Sequence, residues 1–463
     1  MPAQKRRKRQ TAASHREEAA ARVPTVQRRP LATPDEQSRR QLFVLGAGVD
    51  VPFGVPIVSS LMPSLAEFAR GNGGEINKAL RKKLPHLRFS FDKYAADQGD
   101  EFVSRLFSDA SDVVPTLRSA IAKLQADPDL QSVGEVIDRL CRMAEQNNLT
   151  GAALTGLDDG DSQAEYLLDP NKITLTHGPG AALRNVFELA LQRGSSLDDK
   201  ERDLLELFIT ATSNIEQLLS IYFLKFAQGT QADQKTYLYI AWMFWAYLRS
   251  IAVNKPGVVA RSLYANLPTL ATAGIITFNY TNFFDTITAR HVNYFHGRLD
   301  RYLQLDDRAT IDVPALLGVE QIAAFIEGLR LDVTQDNRLD VPAIVPPISF
   351  KPVMSREQLR TWARADELLQ RADVVVIVGY SFALADEHFN DLLPKSSPKS
   401  RIVVVNPDLD TVAIAACRVL SVEIDSLNQQ SHGDVEVRAS RRLTLVGAKG
   451  EQLEAGLLDR VLL

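Results

Sequence analysis

The stretch "FVLGAGVDVPFGVPIVSSL", residues 43–61, joins an apolar run to a pair of glycines, Gly46 and Gly48, and to a proline at position 56. An apolar run that ends in glycine predicts a buried β-strand followed by a tight turn. Glycine in such a turn lets the backbone come close to a diphosphate, because a Cβ atom would collide there. Val51 stands where the ordinary dinucleotide fingerprint has its third glycine. The turn by itself is therefore a weak signal.

Four stretches in all have the character of a buried strand, and each is a short β-branched run that ends in a small or polar residue: 41–48, 274–280, 372–381 and 400–408. Continuous rather than alternating apolar runs are typical of a parallel sheet that helices cover on both faces. Residues 355–371 predict a helix directly before the third strand, with Ser355 as its N-cap. The sequence thus predicts an α/β fold with a Rossmann-like parallel sheet.

The chain between the first and second strands has a different character, with helical spacing of apolar residues at 134–146, 181–193, 200–227 and 235–254. We interpret this region as a large all-helical domain inserted into the nucleotide-type fold. Trp242 and Trp245 lie in a bulky run where only Arg249 supplies a cation, so core packing or a subunit interface is favoured over a base-stacking platform. Residues 151–172 and 300–352 give no clear elements.

These patterns predict a division into four parts. The parts are a disordered basic tail at 1–40, a Rossmann-like domain formed by 41–60 with 270–430, the helical insert at 61–269 and a C-terminal extension at 431–463.

Composition limits the class of protein. The chain has 463 residues and 45% hydrophobic residues, enough for a large core. Two cysteines, Cys141 and Cys417, are too few for a disulfide framework or a four-cysteine zinc site. The sequence contains no apolar run of membrane-spanning length, and its first residues are too polar for a secretory signal. We expect a soluble, cytoplasmic protein without membrane contact.

The charge is unevenly placed. Residues 1–40 carry 11 Lys/Arg and 4 Asp/Glu, whereas the remainder carries 42 and 53. The acidic body argues against a large nucleic-acid surface. The basic tail is either a solvated segment or an arm that makes a weak contact with nucleic acid or docks a partner.

Polar residues follow the later predicted strands. They are Asn279, the pair His296 and Gly297, the turn Gly379-Tyr380-Ser381, and Asn406. In this order the motifs resemble those of the sirtuin superfamily, which has a G-A-G-[I/V]-S-x-x-x-G-I-P loop, an Asn-x-Asp, a catalytic His-Gly, a G-[T/Y]-S turn and a strand that ends in Asn. "GAGVDVPFGVP" matches the first motif without gaps. The resemblance spans the nucleotide fold only, and it implies a sirtuin-type sheet that binds NAD.

The chain also departs from the family. Residues 57–59 are Ile-Val-Ser where the family's deacylases have Asp-Phe-Arg, and their zinc ribbon of two Cys-x-x-Cys pairs is absent. Asp50 stands where the family has a serine, and Thr281 stands where the family has an aspartate. Asn282 or Asp285 could take the role of that aspartate. The pattern looks more like the bacterial sirtuin-like effectors of antiphage defence, which hydrolyse NAD and in some cases work with a HerA-type ATPase. It is also similar to abortive-infection relatives that carry "GNGFDLAHGLP".

The resemblance implies an NAD glycohydrolase that depletes NAD, with NAD as substrate and no zinc or other metal. Its catalytic residues would be Asn279 and His296. Its NAD-binding residues would be Gly46, Ala47, Gly48, Asp50, Pro56, Thr281, Gly379, Ser381 and Asn406.

The residue types suit this chemistry. The leaving nicotinamide is already cationic, so the bond breaks through an oxocarbenium-like state with little acid assistance. An amide such as Asn279 can bind a ribose hydroxyl or a water without opposing that charge, and His296 can take a proton near neutral pH. Considered alone, Asn279 could cap a turn and His296 could be structural.

Three further side chains have open roles. Asp50 either orders the loop by an Asx-type bond or faces the cofactor. Ser381 is expected at a helix start, where free amides favour phosphate. Asp386 is expected to be a local cap or a partner contact rather than a base.

Two other functions remain open: a non-catalytic module that senses NAD or ADP-ribose, and an ADP-ribosyltransferase. We expect a homo-oligomer and a separately encoded HerA-type ATPase or sensor, because the sequence has no G-x-x-x-x-G-K-[ST] loop of its own.

Overall fold

The computed structural model describes residues 40–93, 113–131, 194–213, 215–252, 263–270, 273–283, 292–316, 318–334, 338–345, 355–432 and 435–453, with Lys351, Leu457 and single positions at 133–142 and 187–191. The predicted tail before residue 40 and the stretch 151–172 lie outside the described residues, as do Cys141 and Asp285. The helices predicted at 134–146 and 181–193 are covered only at single positions.

Helices and strands alternate irregularly along the described chain. The first half contains β1 (Gln41–Leu45), α1 (Val58–Arg70), α2 (Gly74–Lys83), α3 (Val113–Gln125), α4 (Asp199–Thr212), α5 (Ile215–Gln228), α6 (Gln231–Ala252), α7 (Leu263–Leu270), β2 (Gly274–Thr277), β3 (Val292–Tyr294), β4 (Gly297–Gln304) and β5 (Thr310–Asp312). The second half contains α8 (Val319–Gly328), β6 (Asp340–Ile344), α9 (Arg356–Arg371), β7 (Val374–Val378), α10 (Glu387–Ser396), β8 (Arg401–Val405), α11 (Leu409–Leu420), β9 (Asn428–His432), β10 (Val435–Ala439) and β11 (Leu443–Val446).

The main sheet has eight strands in the order β3-β2-β1-β7-β8-β11-β10-β9. The four predicted strands are β1, β2, β7 and β8, and they form its contiguous parallel centre. The sheet confirms the predicted α/β fold with a Rossmann-like parallel arrangement. Strands β9 and β10 pair antiparallel and form the far edge. β9 has the sequence NQQSH, which lacks the apolar run that would predict a strand.

Both faces of the central sheet are buried. Leu42 and Val44 of β1 pack in one apolar cluster with residues of α9, α10 and α11. Phe43 and Leu45 point to the other face and pack with Leu263 of α7. This is the environment that continuous apolar strands require.

Helix α9 begins as predicted. The Ser355 hydroxyl accepts from the Gln358 N–H, and the Gln358 side chain accepts from the Ser355 N–H, which completes a capping box. Ala365 and Leu368 are buried as the helical spacing predicts, but Leu359 is 54% exposed. Helix α9 ends at Arg371 and leads directly into β7, which begins at Val374.

A third apolar cluster joins the helices to a small sheet. It contains residues of α1, α2, α5 and α6 together with β4, β6 and α8. Strands β5, β4 and β6 form this separate antiparallel sheet in that order. Trp242 and Trp245 of α6 are fully buried in the cluster, which confirms that their bulk serves core packing. The helix predicted at 200–227 is observed as two, α4 and α5. The four-part division of the chain stays a prediction.

Candidate functional site

The candidate site lies at the carboxyl ends of the central parallel strands. β1 continues into two successive 3₁₀ turns, Ala47–Val49 and Val51–Phe53. The turn is attached to the loop that follows β7, because the Gly46 N–H donates to the Val378 carbonyl at 2.9 Å and the Gly48 N–H to the Gly379 carbonyl at 3.0 Å. Open α/β sheets place their ligands at this edge.

Gly46 is required by the protein's own backbone. A Cβ atom at this position would lie 2.4 Å from the carbonyl oxygen of Gly379 and 2.5 Å from Cα of Tyr380. Gly379 in turn has a left-handed φ of 62°. The prediction that Gly46 allows a phosphate to approach is therefore replaced by a close contact between two loops of the protein itself. Gly48 also lies against the loop after β7, since a Cβ atom there would be 3.0 Å from Cα of Gly379, and it lines a cavity together with Ala47.

Asp50 is buried below this turn, with 1% of its surface exposed. Its carboxylate accepts hydrogen bonds from the hydroxyls of Tyr264 and Thr281. Burial raises the pKa of Asp50 to about 6, although hydrogen bonds from Thr281, Tyr264 and Asn279 act to lower it. The 3₁₀ turn that starts at Asp50 has no side-chain cap bond, so the Asx-type bond expected there is not formed.

Asn279 follows β2 and is held next to the same turn. Its Nδ2 donates to the Gly46 carbonyl at 3.1 Å and contacts the Tyr264 hydroxyl at 3.4 Å. Its backbone N–H donates to the Thr277 hydroxyl at 3.1 Å. Within the described residues, the hydrogen bonds of this amide involve Nδ2 alone. The amide oxygen is left to bind a ligand.

His296 lies in the turn between β3 and β4 and is 5% exposed. Its ring packs edge-on against Phe278, with the centroids 4.9 Å apart, and hydrogen bonds to the Phe278 backbone. Nε2 lies 3.0 Å from Oδ1 of Asp386 but has no partner with hydrogen-bond geometry among the described residues. Burial lowers the pKa of His296 below 6.5, Lys351 acts in the same direction and Asp386 opposes it. The lowered pKa favours the neutral form of the ring over the imidazolium.

Asp386 and Lys351 complete a buried charged group around this histidine. The Lys351 ammonium lies 3.1 Å from Oδ1 of Asp386, and the lysine side chain is fully buried. Burial raises the pKa of Asp386, but the charges of protonated His296 and of Lys351 outweigh this effect and hold the pKa at about 2. Asp386 is therefore ionised at neutral pH. It stands at the N-cap position of α10 without a cap bond, so its expected role as a local cap is wrong.

Two cavities open at this edge of the sheet. The larger, about 680 Å³, is lined by the 47–49 turn, Gly379, Ser381, Asn406 and Lys449 among others. The smaller, about 140 Å³, is lined by Asp50, Pro56, Asn279, Thr281, His296 and Asp386 among others. Ala47, Gly379 and Ser381 line both cavities. All the predicted site residues except Gly46 line one or both of these cavities. Gly46 packs against the loop that follows β7.

Ser381 does not begin a helix. α10 starts at Glu387, after a loop in which Phe382 has a left-handed φ of 55° and a 3₁₀ turn at Leu384–Asp386. The predicted helix-terminal phosphate site at Ser381 is therefore wrong, since the helix amides lie six residues further on. Ser381 is exposed at the junction of the two cavities.

Sequence reasoning missed Lys351 and misjudged Asp386. Lys351 follows a proline-containing stretch that gave no clear element, and no local pattern links it to a histidine 55 residues earlier. Tyr264 was also missed, because it lies within an ordinary apolar helix. The only sequence signal for these residues was the general rule that a polar or ionisable residue in apolar surroundings needs a charged or hydrogen-bonding partner.

Within the ranges described above, no three His, Cys, Asp or Glu side chains are grouped so that they could hold a metal ion. The absence of zinc stays a prediction. Among the same residues, no helix combines the length and the apolar character needed to cross a bilayer.

Comparison with known proteins gives likenesses among solved structures. No protein-family model and no curated protein sequence matches the chain. A Sir2 homologue in complex with NAD is 18% identical, with a TM-score of 0.33, over 54% of this chain and 77% of that one. A Sir2 homologue mutant with ADP-ribose is 21% identical, with a TM-score of 0.29, over 38% of this chain and 66% of that one. A sirtuin structure on substrate affinity is 15% identical, with a TM-score of 0.26, over 83% and 94%. At these identities, function has to be argued from the site.

Proposed function

We propose that this protein is an NAD glycohydrolase that cleaves the nicotinamide–ribose bond to give nicotinamide and ADP-ribose. One observation carries the proposal. A buried histidine, which lies 3.0 Å from Asp386, lines a small cavity together with Asn279, and this cavity shares lining residues with a larger one at the sheet edge. Residues of the sirtuin-like motifs identified in the sequence line both cavities, among them Gly48 and Asn406 in the larger and Asn279 and His296 in the smaller.

The two cavities suit the two halves of NAD. The larger has a volume in the range of small-molecule sites and is lined by the glycine-containing turn and by Asn406 at the end of β8. It would hold the ADP half, with the diphosphate near Ala47 and Gly48 of the turn. The smaller cavity would hold the nicotinamide and its ribose. Ala47, Gly379 and Ser381 would then contact the middle of the molecule.

The small cavity favours a developing positive charge. Asp50 lines it, and a pKa of about 6 leaves this carboxylate mostly ionised at pH 7. Negative charge at this place stabilises an oxocarbenium-like transition state more than the ground state, because the charge on the ribose grows as the bond breaks. The Asn279 amide would hold a ribose hydroxyl or the attacking water through its oxygen.

His296 would take the proton. The neutral ring would accept a proton from a ribose hydroxyl or from water in the small cavity that His296 lines. Once protonated, the ring lies 3.0 Å from ionised Asp386, which stabilises the imidazolium. Lys351 keeps Asp386 ionised before that step. Asp386 and Lys351 are thus positioning residues.

The test is to incubate the purified chain with NAD, alone and with lysate of phage-infected cells, and to follow nicotinamide and ADP-ribose by chromatography. We expect equal release of both products. Asn279→Ala and His296→Ala should each reduce turnover by about 100-fold or more, since each removes a group that acts in the transition state. His388→Ala, at an exposed histidine on α10, is the matched control and should retain activity.

Other outcomes would favour other functions. Intact NAD with tight binding in every condition would indicate a sensing module. Nicotinamide release with ADP-ribose attached to protein or nucleic acid would indicate a transferase. Equal activity of the parent and either alanine variant would contradict the mechanism.

The biological setting is proposed on the resemblance, apart from the nucleic-acid contact and the cytoplasmic location, which rest on charge and composition. It comprises NAD depletion in antiphage defence, self-assembly, a HerA-type ATPase partner, a contact of residues 1–40 with nucleic acid, and a cytoplasmic location. Each of these stays a prediction.

A further inference from the structure

Polar residues follow successive strands at the carboxyl edge of the main sheet. Asn279 follows β2 and the glycine-containing turn follows β1, whereas Asn406 and Lys449 follow β8 and β11. These strands stand in the order β2-β1-β7-β8-β11. Neighbouring strands lie about 4.8 Å apart, so β11 lies roughly 14 Å from β1. With nicotinamide in the small cavity and the diphosphate near the turn, as proposed above, the adenosine of NAD falls near β8 and β11.

Lys449 gives this end of the larger cavity a positive charge. The residue is exposed and lines the cavity. Among the residues that the structure describes, Lys449 has no ion pair, so no neighbouring carboxylate neutralises its ammonium group. A lysine ammonium binds phosphate as a point charge with three N–H donors. The lysine is therefore suited to a phosphate at the adenosine end.

The larger cavity has no aspartate or glutamate among the described residues that line it. Asp408, two residues after Asn406, instead caps α11, since its carboxylate accepts the Thr411 N–H at 3.1 Å. Dinucleotide sites that take NAD commonly present a carboxylate to the 2′-hydroxyl of the adenosine ribose, whereas a basic residue accommodates the 2′-phosphate of NADP. The described lining has the basic residue and lacks the carboxylate that would repel this phosphate.

Asn406 adds a second donor to the same end of the cavity. The residue is half-buried, and its Oδ1 accepts the Asp408 N–H at 2.9 Å, which fixes the orientation of the amide. Within the described residues, the hydrogen bonds of this side chain involve Oδ1 alone. Nδ2 is left to donate, and an amide N–H suits a phosphate oxygen or a ribose hydroxyl.

We propose that the larger cavity binds the adenosine half of NADP at least as tightly as that of NAD, with Lys449 holding the 2′-phosphate. The proposal deepens the proposed function, on which the position of the adenosine rests. NADP is then a second substrate of the hydrolase. Water adds to C1 of the nicotinamide-bearing ribose as the bond to nicotinamide breaks, and His296 takes the proton. The products are nicotinamide and 2′-phospho-ADP-ribose.

The test is isothermal titration calorimetry on the full chain at fixed salt, with ADP-ribose and 2′-phospho-ADP-ribose as probes. The two probes differ only in the 2′-phosphate, and neither contains the bond that the proposed reaction breaks. We expect 2′-phospho-ADP-ribose to bind at least as tightly as ADP-ribose. Nicotinamide release from NAD and from NADP is measured beside it, and both should occur.

Lys449→Gln separates a contact with the 2′-phosphate from a general effect on the cavity. It should weaken binding of 2′-phospho-ADP-ribose about 10-fold and binding of ADP-ribose far less, because one charged hydrogen bond to phosphate is lost. Lys399→Gln is the matched control, since this exposed lysine precedes β8 and so lies toward the opposite edge of the sheet. It should bind both probes as the parent does.

Three results would overturn the proposal: no binding of either probe by the parent, ADP-ribose binding about 10-fold or more tightly than its 2′-phosphate, or equal weakening of both probes in Lys449→Gln. The binding measurement needs no turnover, so its failure is distinguishable from failure of the proposed hydrolysis. Binding as expected with NAD and NADP both left intact would support the assignment of Lys449 and contradict the hydrolase.

Discussion

At the scale of single residues, the proposed chemistry depends on the protonation state of His296. A general base works only when neutral, so activity should fall as pH falls through the pKa of the ring. Burial lowers this pKa below 6.5. The parent should therefore stay active at pH values where an exposed histidine would already be protonated.

Asp386→Asn tests this arrangement. The substitution removes the negative charge of Asp386, which raises the pKa of His296, and leaves Lys351, which lowers it. The pKa of His296 should therefore fall further. We expect the acid limb of the pH–rate profile to move to lower pH. The plateau rate should fall about 100-fold, because the imidazolium loses its counter-charge.

The measurement is nicotinamide release between pH 4.5 and 8 for the parent, Asp386→Asn and the control Asp391→Asn, an exposed carboxylate on the same helix. The control should follow the parent. An acid limb that stays in place or moves to higher pH in Asp386→Asn would contradict the proposed role.

At the scale of elements, the site depends on the close contact between the loops after β1 and β7. Gly46→Ala would place Cβ against the Gly379 carbonyl, and a backbone neighbour cannot turn aside as a side chain can. We expect about 1–3 kcal/mol lower stability and a loss of turnover, because the loops must separate at the cavity junction. Urea unfolding and nicotinamide release measure the two effects.

Gly328→Ala is the matched control. A Cβ atom there meets nothing within 4 Å, and Gly328 lies at the end of α8. Its stability should be unchanged or higher by up to about 1 kcal/mol, since alanine favours the helix. A Gly46→Ala variant as stable and active as the parent would show that the two loops tolerate separation.

At the scale of the whole molecule, helix α6 links the helical region to the small sheet. The Trp242 indole donates to the Asp340 carbonyl at 3.0 Å, and the Trp245 indole donates to the Leu299 carbonyl at 2.9 Å. These carbonyls belong to β6 and β4, and β4 directly follows His296. The small sheet thus shares one core with the helices and supports the turn that carries His296.

Trp242→Phe keeps most of the apolar volume but removes the indole N–H. The buried Asp340 carbonyl then loses this donor, so we expect about 1–3 kcal/mol lower stability in urea unfolding. Trp362→Phe is the comparison variant, because the half-buried Trp362 donates a similar hydrogen bond, 3.2 Å long, to the Phe295 carbonyl. Its loss of stability should be smaller. Equal losses of stability in both variants would contradict the idea that burial of the hydrogen bond determines the cost of removing it.

The sequence alone determined the central sheet and the helix that precedes β7. A strand buried on both faces needs a continuous apolar run, as in 41–48, and Ser355 with Gln358 forms a capping box within four residues. Such signals are local, so they appear in the sequence. Asn279 and His296 were proposed because the motifs around them resemble those of the sirtuin superfamily.

Only the tertiary structure decided what surrounds those residues. Lys351 and Asp386 lie 55 and 90 residues after His296. No local sequence pattern predicts that these three chain segments come into contact. The strands at 428–446 were missed because their partners, not their own composition, hold them in the sheet. A further cavity, bounded by β3, β4, β6 and α9, likewise joins residues from two sheets and a helix. Local hydrophobic pattern sets the elements, whereas burial and charge at contacts between distant segments set the chemistry.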